Sequence, residues 1–534
     1  MRFYIAGIKK TIAELRLNDF IILLVFSLVS TFVVKDSITP ILLTGRSFEG
    51  RSLLLKIGLL TLYFIVFFLI FFLIHKVYHN YVSMKNSFAV DESLGKSYKT
   101  LVVALITVSF GILTIFILNN LISLIDTNNW KLANLDSIPV IEPIGNDFRV
   151  GLYDPAVNLI KNGFKGIAAD NSYPSYYPPI VNVFSVPYTF FYVENAFLIH
   201  TFLLFCLNIL VLIIAAKIAQ KFFLEKVMNN QIVIILTSIM LFIVVAFFNF
   251  SSYGFLFSIE RGNVDIIAMF FIMLSIWTLI TQPKRIWLQV IFLSIATHYK
   301  IYPAILFLLL FYYHGKKLFL PMLLVNLAFF FVLGPKTAWA FILSLTNIES
   351  GAGSGVNWTW VGNHSASSFA ECVTNIYDSL SPYLNVIFIG CLLAPIAIWI
   401  FGIINVLKKK KESLNIILFL MITLPLMDLI PTISNDYRLV IQSTTFLLFI
   451  GLILSQIYEN PRGEQIIELI FVLIIMFFIA RPFDQAAPYS YNLKSGSSIF
   501  LNNKYVWCLL LEALMVWNIF AHNKPKKNIQ KLKQ

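Results

Sequence analysis

The sequence predicts an all-α protein that crosses a membrane many times, and three observations carry that prediction. Hydrophobic residues fill 58% of the 534 positions, charged residues only 13%, and mean hydropathy is +0.81. A soluble fold does not bury that share of apolar surface. Apolar runs recur at close to the ~20 residues that one crossing needs. The charged residues collect between these runs and avoid their interiors.

In chain order the apolar runs lie at 19–35, 54–74, 100–120, 196–215, 231–250, 264–281, 287–299, 301–313, 317–334, 384–406, 413–430, 439–457, 465–481 and 505–521. The expected architecture is a bundle of about 12–14 transmembrane helices, with outer loops carrying short surface helices. The runs 287–299 and 301–313 are too short for two full crossings and meet at His298 and Lys300. They read as two half-helices joined at a polar point, which is tolerable where they line a protein cavity.

Orientation follows from Lys and Arg. One set of mostly short segments carries Lys9, Lys10, Arg16, Lys76, Lys85, Lys96, Lys99, Lys217, Lys221, Lys226, Lys284, Arg285, Lys316, Lys317, Lys408 to Lys411, Arg462 and the tail from Lys524. That set is expected to be cytoplasmic, with both termini, in a cell membrane. The loops at 121–195, 336–383 and 482–504 then face out. The first run follows a basic segment and is expected to remain as an anchor. The net charge of +13 is therefore topological, and nucleic acid is not an expected partner. Of four cysteines, Cys206, Cys391 and Cys508 lie in apolar runs, so neither disulfides nor a cysteine metal site is expected.

Four regions follow: helices over 1–120, the first large outer loop over 121–195, a core over 196–440, and helices with a basic tail over 441–534. Within the outer loop, Asp154 reads as an N-cap, Pro155 as the first helical residue and Gly163 as the stop. The resulting helix 155–162 groups Val157, Leu159 and Ile160, and is expected to lie on the membrane surface.

Five polar clusters could carry chemistry. Asn146-Asp147-Phe148-Arg149 offers a carboxylate able to take a proton from a hydroxyl, or simply a solvated loop acid. Glu260-Arg261-Gly262-Asn263-Val264-Asp265 reads as a helix start with Asn263 as cap, which leaves Arg261 unexplained. His298-Tyr299-Lys300-Ile301-Tyr302-Pro303 sets a costly cation between apolar segments; it suits a lipid-linked phosphate, or snorkels to the surface. Asn357-Trp358-Thr359-Trp360 with Gly362-Asn363-His364-Ser365 suits a sugar, or an interfacial aromatic belt. Pro431 to Arg438 holds Asp436 and Arg438, which could simply neutralise each other. No phosphate-binding loop, HExxH, CxxC pair or dinucleotide glycine pattern occurs, so soluble nucleotide chemistry is unsupported.

The order of these clusters resembles the GT-C superfamily of polyprenol-phosphate-dependent membrane glycosyltransferases. It is most similar to glycosyltransferase family 87, the mannosyl- and arabinofuranosyltransferase type. The matching segments are Asp147-Phe148-Arg149-Val150, Asn158 to Gly163, Tyr177-Pro178-Pro179, Gly262-Asn263-Val264-Asp265, Lys300-Ile301-Tyr302-Pro303, Gly362-Asn363-His364-Ser365 and Ile430 to Tyr437. Asn263 and His364 stand where that family has Gln, and Asn435 where it has Trp.

The resemblance implies an inverting, metal-independent transfer of a mannose-like hexose or a pentose, outside the membrane, to a lipid or glycan acceptor. It implies Asp147 as general base and Arg149, Lys300 and Arg438 as phosphate ligands. Tyr177, Asn263, Asp265, His298, Trp360, Asn363, His364 and Asp436 would line the sugar and acceptor site. The expected partners are membrane lipids, the polyprenyl-phosphate sugar and the acceptor; no cofactor is expected. The rivals are an O-antigen polymerase or ligase, which would need arginines that the loop 336–383 lacks, and a lipid-linked glycan transporter or flippase, which would show internal repeats.

Overall fold

The computed structural model describes Ser27, seven positions between 57 and 68, and most residues from Gly145 to His522; 168–172, 174, 176, 229–230, 350–361, 409–411, 432–433, 435, 460–462 and 481–502 are not described. The chain divides into two units, Met1–Pro139 and Val140–Gln534. In the first, the Thr61 hydroxyl donates to the Ile57 carbonyl at 2.8 Å, and Phe64 and Phe68 face each other one turn apart. The expected runs 19–35 and 54–74 fall mostly, and 100–120 wholly, outside the described residues.

Every regular element described in the second unit is helical. It begins with α1 (Asn146–Phe148), a π-helical turn Arg149–Tyr153, α2 (Asp154–Lys161) and α3 (Pro179–Ser185). Next come α4 (Val193–Ala219), α5 (Gln231–Ser251), α6 (Tyr253–Arg261), α7 (Asp265–Thr281) and α8 (Ile286–Tyr299). A 3₁₀ turn Tyr302–Leu306 leads to α9 (Phe307–His314), followed by α10 (Phe319–Phe330), α11 (Pro335–Glu349) and α12 (Ala366–Ile376). The bundle closes with α13 (Leu384–Leu407), α14 (Ser413–Leu429), α15 (Gln442–Glu459), α16 (Gly463–Ala480) and α17 (Tyr505–His522). The apolar runs from 196 onward thus each became a helix or helix pair.

Five of the described helical stretches are long and apolar enough to cross a membrane, six if the bent pair formed by α6 and α7 counts as one crossing. This is fewer than the runs suggested, because α8, α14 and the apolar parts of α16 and α17 are shorter than 18 residues. One of the five, Tyr302–Phe330, is interrupted at Gly315. A straight helix of that length would hold its ends roughly 40 Å apart. Yet the rings of His298, just before its start, and Phe329, at its end, are 5.5 Å apart. The chain reverses at Gly315, whose φ of 60° and ψ of −140° only glycine adopts readily. The two half-helices expected at 287–313 are α8 and α9, which run back along each other: His314, at the end of α9, meets the Gln289 carboxamide near the start of α8 at 2.6 Å.

Core position follows composition. α14 is apolar all round apart from a few polar groups and is buried from Asn415 to Leu429. α15 lies beside it, buried through most of its length. α13 and α16 keep exposed faces at Val386, Ile389, Ile470 and Phe471, as helices facing lipid do.

The helices alternate in direction, and basic residues lie at both ends of the bundle; Lys161, Lys165, Lys336 and Lys504 belong to the end that carries Lys300. Lys217 and Lys221 close α4, Lys284 and Arg285 join α7 to α8, Lys316 and Lys317 join α9 to α10, and Lys408 follows α13. Asp147, Arg261, Asp265, Lys300 and Arg438 gather at the opposite end, where they touch one another.

The surface helix expected at 155–162 differs from the structure in two ways. Asp154 is not a cap: its φ of −60° and ψ of −41° are helical, and its N–H bonds to Arg149 O through the π turn. Pro155 sits inside a continuous helical run because the missing hydrogen bond is replaced. The Gly151 carbonyl, which an N–H at 155 would reach in an α-helix, accepts from the Ser175 hydroxyl at 3.1 Å. Nor is the apolar face turned to lipid. Ala156 and Leu159 are buried within the protein, and only Ile160 of the expected stripe is exposed. Gly163 stops the helix as expected, with φ 61° and the Phe164 N–H returning to Leu159 O at 2.8 Å.

Candidate active site

The site is built where α6 turns into α7. α6 starts at Ser252, whose hydroxyl accepts from the Phe255 N–H, and ends at Gly262 with φ 65°. The two helices make an angle of 111°, so α6 lies across the bundle and α7 runs along it. A Cβ on Gly262 would stand 2.6 Å from Phe148 Cβ. Glycine therefore serves both the left-handed turn and the close approach of α1. The Gly145 N–H also donates to Glu260 O at 2.8 Å, fixing α1 against α6.

This docking brings Asp147 onto the turn. Arg261 donates to Asp147 Oδ1 from Nε at 3.1 Å and from Nη2 at 2.6 Å. Asn263 Nδ2 donates to Asp147 Oδ2 at 3.0 Å. The Asp147 side chain keeps 21% of its surface exposed, so the carboxylate is gripped yet reachable. Arg261, unexplained as part of a helix start, is thus the principal partner of Asp147.

Asn263 joins this pair to a second group. Its Oδ1 accepts the Asp265 N–H at 3.2 Å at the head of α7. Asp265 is fully buried and meets Lys300 Nζ at 3.2 Å. Tyr302 OH donates to Asp265 Oδ1 at 2.7 Å. Arg438 Nε stands 3.7 Å from the same oxygen, too long for a hydrogen bond but close enough for charge attraction, and its guanidinium lies 4.8 Å from the Tyr302 ring centroid. Such burial is tolerable because each charge has an opposite neighbour. Behind Arg438, the buried Asp428 of α14 accepts from Gln442 Nε2 of α15.

Two supports hold the network in place. His200 Nε2 lies 3.0 Å from Gly262 O, and Nδ1 lies 2.8 Å from Tyr188 OH. A carbonyl only accepts, so Nε2 carries the hydrogen and Nδ1 accepts from Tyr188. Burial pushes the Tyr188 phenol up to about 12, which keeps it a donor. On the other side, the Tyr177 ring packs on Gly151, where a Cβ would come within 2.7 Å, and Lys300 Nζ lies 5.9 Å from that ring's centroid.

Glu260, one residue from the Asp147 partner, is buried with Oε2 lacking a hydrogen-bond partner. Burial pushes its carboxyl up to about 7, opposed by the charge of Arg261 and reinforced by that of Asp147. It holds its proton more tightly than an ordinary glutamate.

Of the sequence-derived residues, Asp147, Tyr177, Asn263, Asp265, Lys300 and Arg438 come together here. Arg149 does not: its side chain is exposed and pairs with Asp154 at 3.3 Å on the helix surface. His298 packs edge-on against the Phe329 ring. Asn363 and His364 tie chain segments together. Asn363 Oδ1 accepts from the Ser365 and Ser434 N–H groups, its carbonyl accepts from Asn503, and His364 Nδ1 accepts the Lys504 N–H at 3.0 Å. Trp360 and the Asp436 side chain lie outside the described residues. Arg261, Tyr302, Asp428 and His200 belong to the network although no role was read for them from sequence. Arg261 and Tyr302 had a signal, since they share segments with Asn263 and Lys300.

No protein family, no characterised protein and no solved structure matches this chain.

Proposed function

We propose that this chain is an integral membrane glycosyltransferase. It moves a mannose-like hexose or a pentose from a polyprenyl phosphate to a lipid or glycan acceptor on the extracytoplasmic side. The observation that carries the proposal is the single network linking a partly exposed carboxylate, Asp147, to two cations, Lys300 and Arg438, through Asn263 and Asp265. The network lies at the end of the bundle opposite the basic turns, which the charge bias assigns to the cytoplasm.

The chemistry divides along that network. Arg261 and Asn263 occupy three acceptor positions of the Asp147 carboxylate, leaving a lone pair for an incoming hydroxyl. Asp147 takes the hydroxyl proton as the acceptor oxygen attacks the anomeric carbon. The bond from that carbon to the phosphate oxygen breaks, its electron pair stays on the phosphate, and the configuration inverts. Lys300 and Arg438 receive the polyprenyl phosphate by charge-assisted hydrogen bonds. Asp265 balances those cations between turnovers.

The test is a membrane assay with a panel of radiolabelled polyprenyl-phosphate sugars and, in parallel, nucleotide sugars. Label should pass from one lipid-linked donor to a lipid or glycan fraction. Transfer from a nucleotide sugar alone, or from no donor by folded protein, would overturn the proposal.

A further inference from the structure

Asn363, His364 and Ser365 stand out in the sequence, yet they lie beside the charged network and not in it. With Ser434, Asn503 and Lys504 they form a buried knot where three chain segments meet. Ser434 is held at both of its backbone groups. Its N–H donates to Asn363 Oδ1 at 2.8 Å, and its carbonyl accepts the His364 N–H at 2.7 Å. Two helix starts anchor the knot. Ser365 Oγ accepts the Ser368 N–H at the head of α12. At the head of α17, His364 Nδ1 accepts the Lys504 N–H at 3.0 Å and the Asn363 carbonyl accepts from Asn503 Nδ2 at 2.9 Å.

One turn of chain beyond Ser434 comes Arg438, in the 3₁₀ turn Asp436–Ile441. Its side chain is only 7% exposed, yet Nε and Nη1 make no hydrogen bond. What touches the guanidinium is the Asp265 carboxylate at 3.7 Å and the Tyr302 ring, with 4.8 Å to its centroid. Charge attraction at that distance and contact with a ring face are weakly directional, so they do not aim a planar fork of donors. The aim comes from the backbone that carries the side chain. Leu439, Val440 and Ile441 bury it on one side of Arg438, and the clamped Ser434 fastens it on the other.

We infer that the clamp of Asn363 and His364 on Ser434 sets the place of Arg438, which makes both of them positioning residues for lipid-phosphate binding; this rests on the proposed role of Arg438 as a phosphate ligand. Charge-assisted hydrogen bonds are strong but weaken steeply with misalignment. An Arg438 whose backbone has slipped therefore still attracts a phosphate and binds it less well. Holding two guanidinium nitrogens buried without hydrogen bonds is costly, and a backbone tied at both ends resists the shift that would let them turn to other acceptors.

The experiment measures binding of radiolabelled decyl phosphate to purified full-length protein by scintillation proximity, with decanol as the apolar control and thermal unfolding to confirm that each variant folds. Arg438→Gln should weaken binding by roughly tenfold, and Asn363→Leu, which removes the acceptor for the Ser434 N–H, should do the same. The double variant should bind within roughly twofold of Arg438→Gln alone, because the clamp acts through that side chain. His364→Asn, whose Oδ1 accepts the Lys504 N–H as Nδ1 does, should bind like wild type, whereas His364→Leu should not. His364→Leu takes the place of Asn363→Leu in the cycle if the latter does not fold. Losses that multiply in the double variant, or wild-type binding by folded Asn363→Leu, would overturn the inference and leave the phosphate role of Arg438 standing. Binding that is absent from wild type, unchanged by Arg438→Gln or matched by decanol would overturn that role, and the inference with it.

Discussion

At the scale of single residues, the site depends on Asp147 being gripped by Arg261 and Asn263, and on a backbone that lets them meet. Gly262→Ala should lower both stability and activity. The left-handed conformation costs a non-glycine residue roughly 1–2 kcal/mol, and the added Cβ meets Phe148 at 2.6 Å. The check is thermal unfolding of the purified variant beside the wild type. Glu260 gives a pH signature. Its folded-state pKa lies above its unfolded value, so its contribution is fully present below the unfolded pKa of 4.5 and is lost as pH rises to about 7. Wild-type protein should therefore lose stability between those values relative to Glu260→Gln, by roughly 3 kcal/mol at most. Parallel unfolding curves at pH 5 and pH 8 would contradict this. Asp147, Asn263, Asp265, Lys300 and Arg438 were legible in the sequence because a charge or amide in so apolar a chain stands out. Asp428 and His200 were not. Each lies inside an apolar run, where periodicity reads the segment as a span and says nothing of which neighbour a lone polar group will meet.

At the scale of elements, each apolar run from 196 onward became a helix or helix pair, while α6, α11 and α12 lie outside every run and several runs gave helices shorter than a crossing. The segment Asn146–Lys161 did not follow its local signals. Asp154-Pro155 has the form of a helix start, yet the helix begins eight residues earlier and passes through it. The Ser175 hydroxyl supplies what Pro155 cannot, and no local pattern announces a partner 24 residues away. Ser175→Ala should then leave the Gly151 carbonyl unpaired and cost about 1–3 kcal/mol, whereas Ser175→Thr should be nearly neutral. Proteolysis of the segment by a protease acting at Lys161 or Lys165 reads this directly, with faster cleavage expected in the alanine variant alone.

At the scale of the whole molecule, the proposed chemistry depends on the orientation expected from the Lys and Arg bias of the short loops in the sequence. Reporter fusions after Lys317 and Glu412 should read cytoplasmic, and fusions after Gly166 and Gly334 should read external. The reverse pattern would set the donor in the wrong leaflet. The central claim is that Asp147 takes the acceptor proton. A positioned base contributes roughly 10²–10⁴-fold in rate. The most direct measurement is single-turnover sugar transfer by Asp147→Asn with the donor that supports wild-type activity, with donor binding measured alongside. Transfer should fall by about that factor while donor binding persists. Wild-type transfer by a folded Asp147→Asn protein would contradict the account.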